Sequence, residues 1–190
     1  LSVLTFFLYL AGLLKMNDSM EDLFTVISPE EIHDNIFKLI NEDWMLVCAG
    51  KPEHYNMMTA SWGGAGFLWR KHIAIIFIRP QRHTFLFMEN NPYFTISFYD
   101  EEFRDILNYC GTYSGKDVNK MAVDGLDPIE TPLGNVAFKQ ARLLIECRKI
   151  YQDDIRPEQF LSFDVEKIYV EKDYHRFYIG EIVKVWKALE

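Results

Sequence analysis

Two short stretches carry residues whose types and spacing suit anion chemistry. In Ile78-Arg79-Pro80-Gln81-Arg82-His83-Thr84-Phe85, Pro80 ends a strand-like run and Arg82 and Thr84 stand two apart, so both can project to one side. Thr84 is placed to cap a short helix through Asn90, and the free N–H groups and dipole of a helix start favour an anion. A guanidinium, a hydroxyl and a helix start suit a phosphate monoester. The plain alternative is a surface arginine beside an ordinary cap. In the second stretch, CGTYSGKDVNKM at 110–121, Gly111 and Gly115 bracket Thr112, Tyr113 and Ser114 and let the backbone curl. Lys116 and Lys120 stand four apart on a helix expected over 116–122. This also suits phosphate, against the alternative of a solvated lysine face.

Two more stretches add flat and polar groups. NMMTASWGG at 56–64 alternates, with Met58, Ala60 and Trp62 on one face and Met57, Thr59 and Ser61 on the other. EKDYHRFYIGEIV at 171–183 puts His175 and Phe177 on one face of a strand and Tyr174, Arg176 and Tyr178 on the other. A histidine so placed is commonly structural, and Gly180 inside the strand points to a bulge or a close approach. A hydroxyl-and-tryptophan segment, two anion-suited segments and 29 aromatic residues (15 Phe, 10 Tyr, 4 Trp) together describe a site for a flat, phosphorylated ligand. Gly64-Ala65-Gly66 is followed by Trp69 where a dinucleotide fingerprint needs glycine, so a mononucleotide such as FMN fits better than NAD or FAD.

Other chemistry is excluded by what the chain lacks. It has no Walker A sequence and no GxSxG elbow, and its five histidines show no HxxxH spacing, so no metal site is expected. Cys48, Cys110 and Cys147 form no CxxC pair and read as reduced thiols in a cytoplasmic protein. The net charge of −8 argues against a nucleic-acid surface, and any bound anion must be held by local basic groups such as Arg79, Arg82 and His83.

These groups need a framework, and the rest of the 190 residues reads as mainly β with peripheral helices. Ser28-Pro29-Glu30-Glu31 starts a helix with a capping box, and Ile32, Ile36 and Ile40 extend its apolar stripe, predicting a helix over 29–40. Strands are expected at 44–50, 56–62, 72–80 and 93–99, with Asp100 capping a helix whose Phe103, Ile106, Leu107 and Cys110 share a face. Residues 136–151 supply one or two strands, and 167–187 looks like a final hairpin. The first 14 residues hold 11 apolar ones, short of the roughly 20 of a membrane span. No basic residues precede that segment and no A-x-A pattern follows, so residues 1–20 read as a hydrophobic helix docked on the 21–190 domain or on a partner subunit.

NMMTASWG, RPQRHT, NPYFTISF, CGTYSGKD with Asn119-Lys120, and DYHRFYIGEIV, in this order and spacing, resemble the flavin reductase-like proteins of the FMN-binding split-barrel superfamily, which include flavoredoxin. The resemblance covers about residues 40–185. It implies a six-stranded Greek-key split barrel and a homodimer with FMN near the subunit interface. It implies that Met58, Thr59, Ala60, Ser61 and Trp62 run along the isoalloxazine. Arg82 and Thr84 would approach the phosphate with Arg79 beside them, and Ser114, Gly115, Lys116 and Lys120 would add phosphate or ribityl contacts. His175 would lie near the reactive face, where a nicotinamide binds. The activity implied is NAD(P)H-dependent flavin reduction, NADH or NADPH being the co-substrate and a partner protein or free flavin the acceptor. The alternative is a flavoredoxin-like electron carrier that holds FMN tightly and has no nicotinamide site.

Overall fold

The computed structural model describes residues 18–189. The docked helix expected for the N-terminal apolar segment falls mostly on residues 1–17, which lie outside that range.

Ten strands form: β1 (Phe24–Ile27), β2 (Met45–Lys51), β3 (His54–Ala60), β4 (Gly63–Leu68), β5 (Lys71–Ile78), β6 (Tyr93–Phe98), β7 (Pro128–Glu130), β8 (Val136–Phe138), β9 (Leu143–Asp154) and β10 (Arg176–Ala188). The main sheet is antiparallel in the order β3-β2-β6-β9-β10-β5-β4, with β1 paired to the end of β10 and β7–β8 a separate hairpin. Six of these strands, β3 to β5 in that order, curl into a barrel. Its two ends, β3 and β5, come close without a ladder between them, which is the split. Because β2 neighbours β6 and β5 neighbours β10, the chain crosses over in Greek-key fashion.

Alternation decides what each strand faces. Along β2, Met45, Val47 and Ala49 enter the barrel core with Met58, Ile76, Ile78, Phe94, Ile96 and Tyr178. Leu46 and Cys48 enter a second apolar layer outside, with Met57, Leu107, Cys110, Phe138, Leu144 and Trp186. Two apolar faces explain why β2 reads as a continuous hydrophobic run. Helix α1 (His83–Asn90) follows β5 and places Phe87 and Met88 in the barrel core. Helix α2 (Arg104–Thr112) covers the outer layer through Leu107 and Cys110. All three cysteines are buried thiols.

Three local expectations differ from the structure. The capping box at Ser28 and Glu31 forms, but only a single 3-10 turn follows. Ile32 is extended, and Asn35 caps a second turn that runs on into a π-turn at Leu39–Asp43. Ile32, Ile36 and Ile40 still pack against the barrel core, so the apolar stripe is real while the unbroken helix is not. Over 116–122 only Lys120–Ala122 is helical, because Asn119 caps there and starts the turn anew. The expected final hairpin is one 13-residue strand, β10. Its ladder with β9 shifts register between Ile179 and Gly180, where the unpaired extra residue is Ile150 of β9, so the irregularity expected at Gly180 is found with its bulge on the partner strand. A Cβ on Gly180 would stand 2.6 Å from Phe94 Cζ, so the ring of Phe94 occupies the space a side chain would need.

Candidate functional site

β3 is an edge strand, so one row of its backbone groups has no ladder partner. The Met57 carbonyl lies on that open row, since it accepts from the Lys120 ammonium at 2.9 Å. With a period of two, the N–H and C=O of Thr59 face the same open side. At this edge, where β3 ends, a cavity of about 210 Å³ is lined by Met58, Thr59, Ala60, Ser61, Trp62, Phe77, Arg79, Arg82 and His175. The Thr59 hydroxyl donates to the Leu107 carbonyl at 2.5 Å, which leaves the backbone of Thr59 as the group facing the opening.

The positive groups of this cavity are individually braced. Arg79, at the end of β5, pairs with Asp173, and its guanidinium lies 5.6 Å from the Tyr169 ring centroid. Gln81 donates to the same Asp173 carboxylate. Arg82 donates from Nη1 to the Gly111 carbonyl at 2.9 Å, which leaves its other nitrogens free to meet a ligand. His175 sits just before β10 and is only 7% exposed. Its ring lies 4.9 Å from that of Trp62 and edge-on to Phe77, and its Nδ1 lies 3.0 Å from the Tyr169 hydroxyl. Burial first, then the positive charge of Arg79, push its pKa down to about 4 against the opposing pull of Asp173. The imidazole is therefore neutral at physiological pH.

Beside this cavity, farther back along β3, a second group of residues gathers around Asn56. Thr84 is not the cap of α1 but lies in its first turn, 1% exposed, and its hydroxyl accepts from Asn56 Nδ2 at 2.8 Å. Arg82 holds the cap position and provides no side-chain cap. The first N–H groups of α1 are thus left for another partner. The Ser114–Lys116 loop presses against this point: a Cβ on Gly115 would lie 2.2 Å from Asn56 Oδ1 and 2.9 Å from His83 Cδ2. Lys120 is 4% exposed and donates to the carbonyls of Met57 and Cys110. Burial above all drives its pKa down to about 8. His83 is also pushed down, by burial and then by Lys116, His54 and Lys120, which marks a local excess of positive groups.

The structure therefore gathers Met58 to Trp62, Arg79, Arg82 and His175 into one cavity. It sets Thr84, Ser114, Gly115, Lys116 and Lys120 on an adjoining shelf, where Thr84 and Lys120 are committed to internal hydrogen bonds. The sequence reading did not single out Asn56, Phe77, Tyr169 or Asp173. Phe77 was within reach, since it stands two residues before Arg79 on an alternating strand. Tyr169 and Asp173 arrive from the irregular segment between β9 and β10, and no spacing rule connects them to His175. The arrangement offers a flat slot, an open backbone edge and a positively charged flank. It has no nucleophile–base pair, and among the described residues no three His, Cys, Asp or Glu side chains are placed to hold a metal. No helix of the described residues is long and apolar enough to cross a membrane.

No curated protein matches the chain in sequence. Solved structures match its fold. An FMN-binding protein from Thermus thermophilus with bound p-hydroxybenzaldehyde superposes with a TM-score of 0.61 at 19% identity, over 85% of this chain and 77% of that one. Flavoredoxin of Desulfovibrio vulgaris (Miyazaki F) gives 0.60 at 21% identity, over 86% and 78%. A Streptomyces globisporus NADH:FAD oxidoreductase in complex with NAD and FAD fragments gives 0.58 at 14%, over 76% and 74%. At these identities the likeness establishes the architecture, a mainly antiparallel β split barrel. Residues 38–190 match the model of the flavin reductase like domain, which spans all the barrel strands and every residue of the cavity, and the chain belongs to that family.

Proposed function

We propose that this protein binds FMN and reduces it with NADH or NADPH. The observation that supports the reading best is the single cavity in which the β3 end, Arg79, Arg82 and His175 meet, flanked by the shelf of Lys116, His83 and the start of α1. These residues suit a flat ring with an anionic tail. The open backbone edge at Thr59 and Ser61 would meet the polar edge of the isoalloxazine. Arg82, the N–H groups of α1 and the Ser114–Lys116 loop would hold the phosphate. Lys120 and Thr84 act one step back, Lys120 fixing the β3 backbone and Thr84 fixing Asn56 under the loop.

Bound flavin supplies the hydride and electron chemistry itself, so the chain needs no nucleophile or metal of its own. Its tasks are to orient the ring, to shield one face and to leave the other open. Trp62, 42% exposed beside His175, marks the open side, where a nicotinamide can lie against the ring. A neutral His175 there gives a hydrogen-bonding group without a positive charge that would oppose the cationic nicotinamide left after hydride transfer. A homodimer with this side near the subunit interface would complete the site.

Anaerobic mixing of the FMN-loaded protein with NADH and with NADPH tests the reading. Loss of the flavin's visible absorbance with either nucleotide is the expected result. Retained absorbance with both would point instead to an electron carrier of the flavoredoxin kind. A chain that takes up no FMN would remove both readings.

A further inference from the structure

Strand β4 is the far edge of the main sheet: it pairs with β5 and, among the described residues, with no other strand. Its sequence, Gly63-Gly64-Ala65-Gly66-Phe67-Leu68, carries no lysine or proline, and its ladder with β5 has no bulge, so none of the usual devices blunts this edge. A Cβ on Gly64 or Gly66 would meet nothing within 4 Å, which leaves the backbone open to a close approach. By register, Gly63, Ala65 and Phe67 share the face on which Ala74 and Ile76 enter the barrel core. On that face the chain returns along residues 29–42 and leaves a trough between itself and β4. The trough joins a cavity of about 330 Å³ at Ala65–Phe67 to one of about 420 Å³ at Gly63. Ile32, Ile36, Ile145 and Ile182 line the first, and Phe37, 81% exposed, stands at the second. The charges around the trough are balanced: Asp34 pairs with Arg142, Glu30 lies 3.0 Å from His72, and Lys38 and Glu42 border the same cavity.

An open strand edge beside an apolar, charge-balanced trough suits an extended, uncharged chain. Its backbone would pair with β4 while alternate side chains enter the trough. One segment of this protein has that chemistry. Residues 1–14, LSVLTFFLYLAGLL, hold 11 apolar residues and no charged one, and Val3, Thr5, Phe6, Phe7 and Tyr9 are good strand formers. We propose that the edge of β4 and this trough take residues of the 1–14 segment of the same chain as an added strand. The free edge favours a strand over the docked helix that apolar composition alone suggested. The chain has the reach. Asp18 is tied to Lys139, β1 then runs from Phe24 beside Ala188 to Ile27, and Pro29 already lines the trough. The path from Asp18 to Pro29 is at most about 36 Å and residues 1–17 span about 56 Å when extended, which leaves about 20 Å for the roughly 13 Å between Gly63 and Phe67. β4 starts one residue after Trp62, so the added strand also steadies that rim of the first cavity. The proposal does not depend on a bound flavin.

Amide hydrogen exchange on the full chain reads the β4 amides that point away from β5. They should exchange at least about a hundredfold more slowly than in unstructured peptide. Phe6 and Phe7 are adjacent, so in a strand one of them faces the trough whatever the register. The full chain carrying both Phe6→Asp and Phe7→Asp should therefore lose that protection while the β5–β10 ladder keeps its own. Wild-type β4 amides that exchange freely overturn the proposal, and so does protection that the double variant leaves unchanged. If the double variant fails to fold, photo-crosslinking decides instead, with p-benzoylphenylalanine in place of Phe6 or Phe7 in the otherwise wild-type chain. Adducts within one chain to β4 or to residues 29–42 sustain the proposal. Adducts elsewhere overturn it, and adducts joining two chains overturn it in favour of a second copy's segment in the trough.

Discussion

The hydroxyl of Tyr169 and Nδ1 of His175 stand 3.0 Å apart, both side chains buried beside the cavity. A neutral imidazole has one accepting nitrogen, and no other partner of the Tyr169 hydroxyl is found among the described hydrogen bonds. We assign the O–H donation to Nδ1, which leaves the proton on Nε2. Tyr169 is itself held by the Arg79 guanidinium and by tilted ring contacts with Phe160 and Tyr174. It is thus a positioning residue for His175. Tyr169→Phe is expected to lower kcat about tenfold with little change in flavin affinity. The nitrogen shifts of His175 in labelled protein should also show mixed tautomers. A variant with wild-type tautomer and rate would show that the contact only fills space.

The depressed pKa of His175 has a consequence for stability. Its ordinary value is 6.5, and burial with Arg79 lowers it to about 4 in the folded protein. Between those values the unfolded chain binds a proton that the folded one does not, so stability falls as pH drops through that window and levels off below it. His175→Asn removes the effect. Urea titrations of wild type and variant at a series of pH values from neutral to acidic should therefore diverge below about pH 6.5. Parallel curves would mean that the imidazole is solvated.

How far the sequence revealed this site depends on the range of the interaction that builds each part. The β3 segment was legible because a strand alternates by local geometry, and both predicted faces are found, Met58 and Ala60 in the barrel and Met57 in the outer layer. The capping box at Ser28 was legible for the same reason, yet local capping could not show that Ile32 turns extended and that Asn35 starts again. The helix cap was placed two positions late, at Thr84 and not Arg82. Thr84 looked like a cap by residue type, but burial against Asn56, 28 positions away, draws its hydroxyl inward. The Tyr169–His175 and Arg79–Asp173 contacts depend on how the segment between β9 and β10 folds back, which no periodicity encodes.

Arg82→Ala should weaken FMN binding by about ten- to a hundredfold, the range for loss of a charge-assisted hydrogen bond. Riboflavin, which lacks the phosphate, should lose far less. The comparison also controls for the bond from Arg82 to the Gly111 carbonyl, whose loss would affect both ligands alike. Equal losses would refute a phosphate role for Arg82.

Lys120→Met should destabilise the fold by about 2–4 kcal/mol, since two buried carbonyls, those of Met57 and Cys110, lose their donor. The pH dependence has a defined sign. Folded Lys120 releases its proton near pH 8, while unfolded lysine keeps it to about 10.5. The unfolded state binds more protons between those values, so the wild type gains stability relative to the variant as pH rises across them. Denaturant midpoints measured on both sides of that window, with the variant as reference, check both the size and the direction.

Gly115→Ala tests whether the loop must touch the strand. The added Cβ would fall 2.2 Å from Asn56 Oδ1 and 2.9 Å from His83 Cδ2, closer than packed atoms allow. The loop has to lift from β3, carrying Ser114 and Lys116 away from the start of α1. It is an exposed segment outside the core, so the loss in fold stability should stay near 1 kcal/mol. FMN affinity should fall at least about tenfold, with riboflavin much less affected, since the loop meets the phosphate and not the ring. If flavin affinity survives while the melting temperature drops, the contact between Gly115 and Asn56 serves the fold alone, and the phosphate must be held by Arg82 and the α1 N–H groups without the loop.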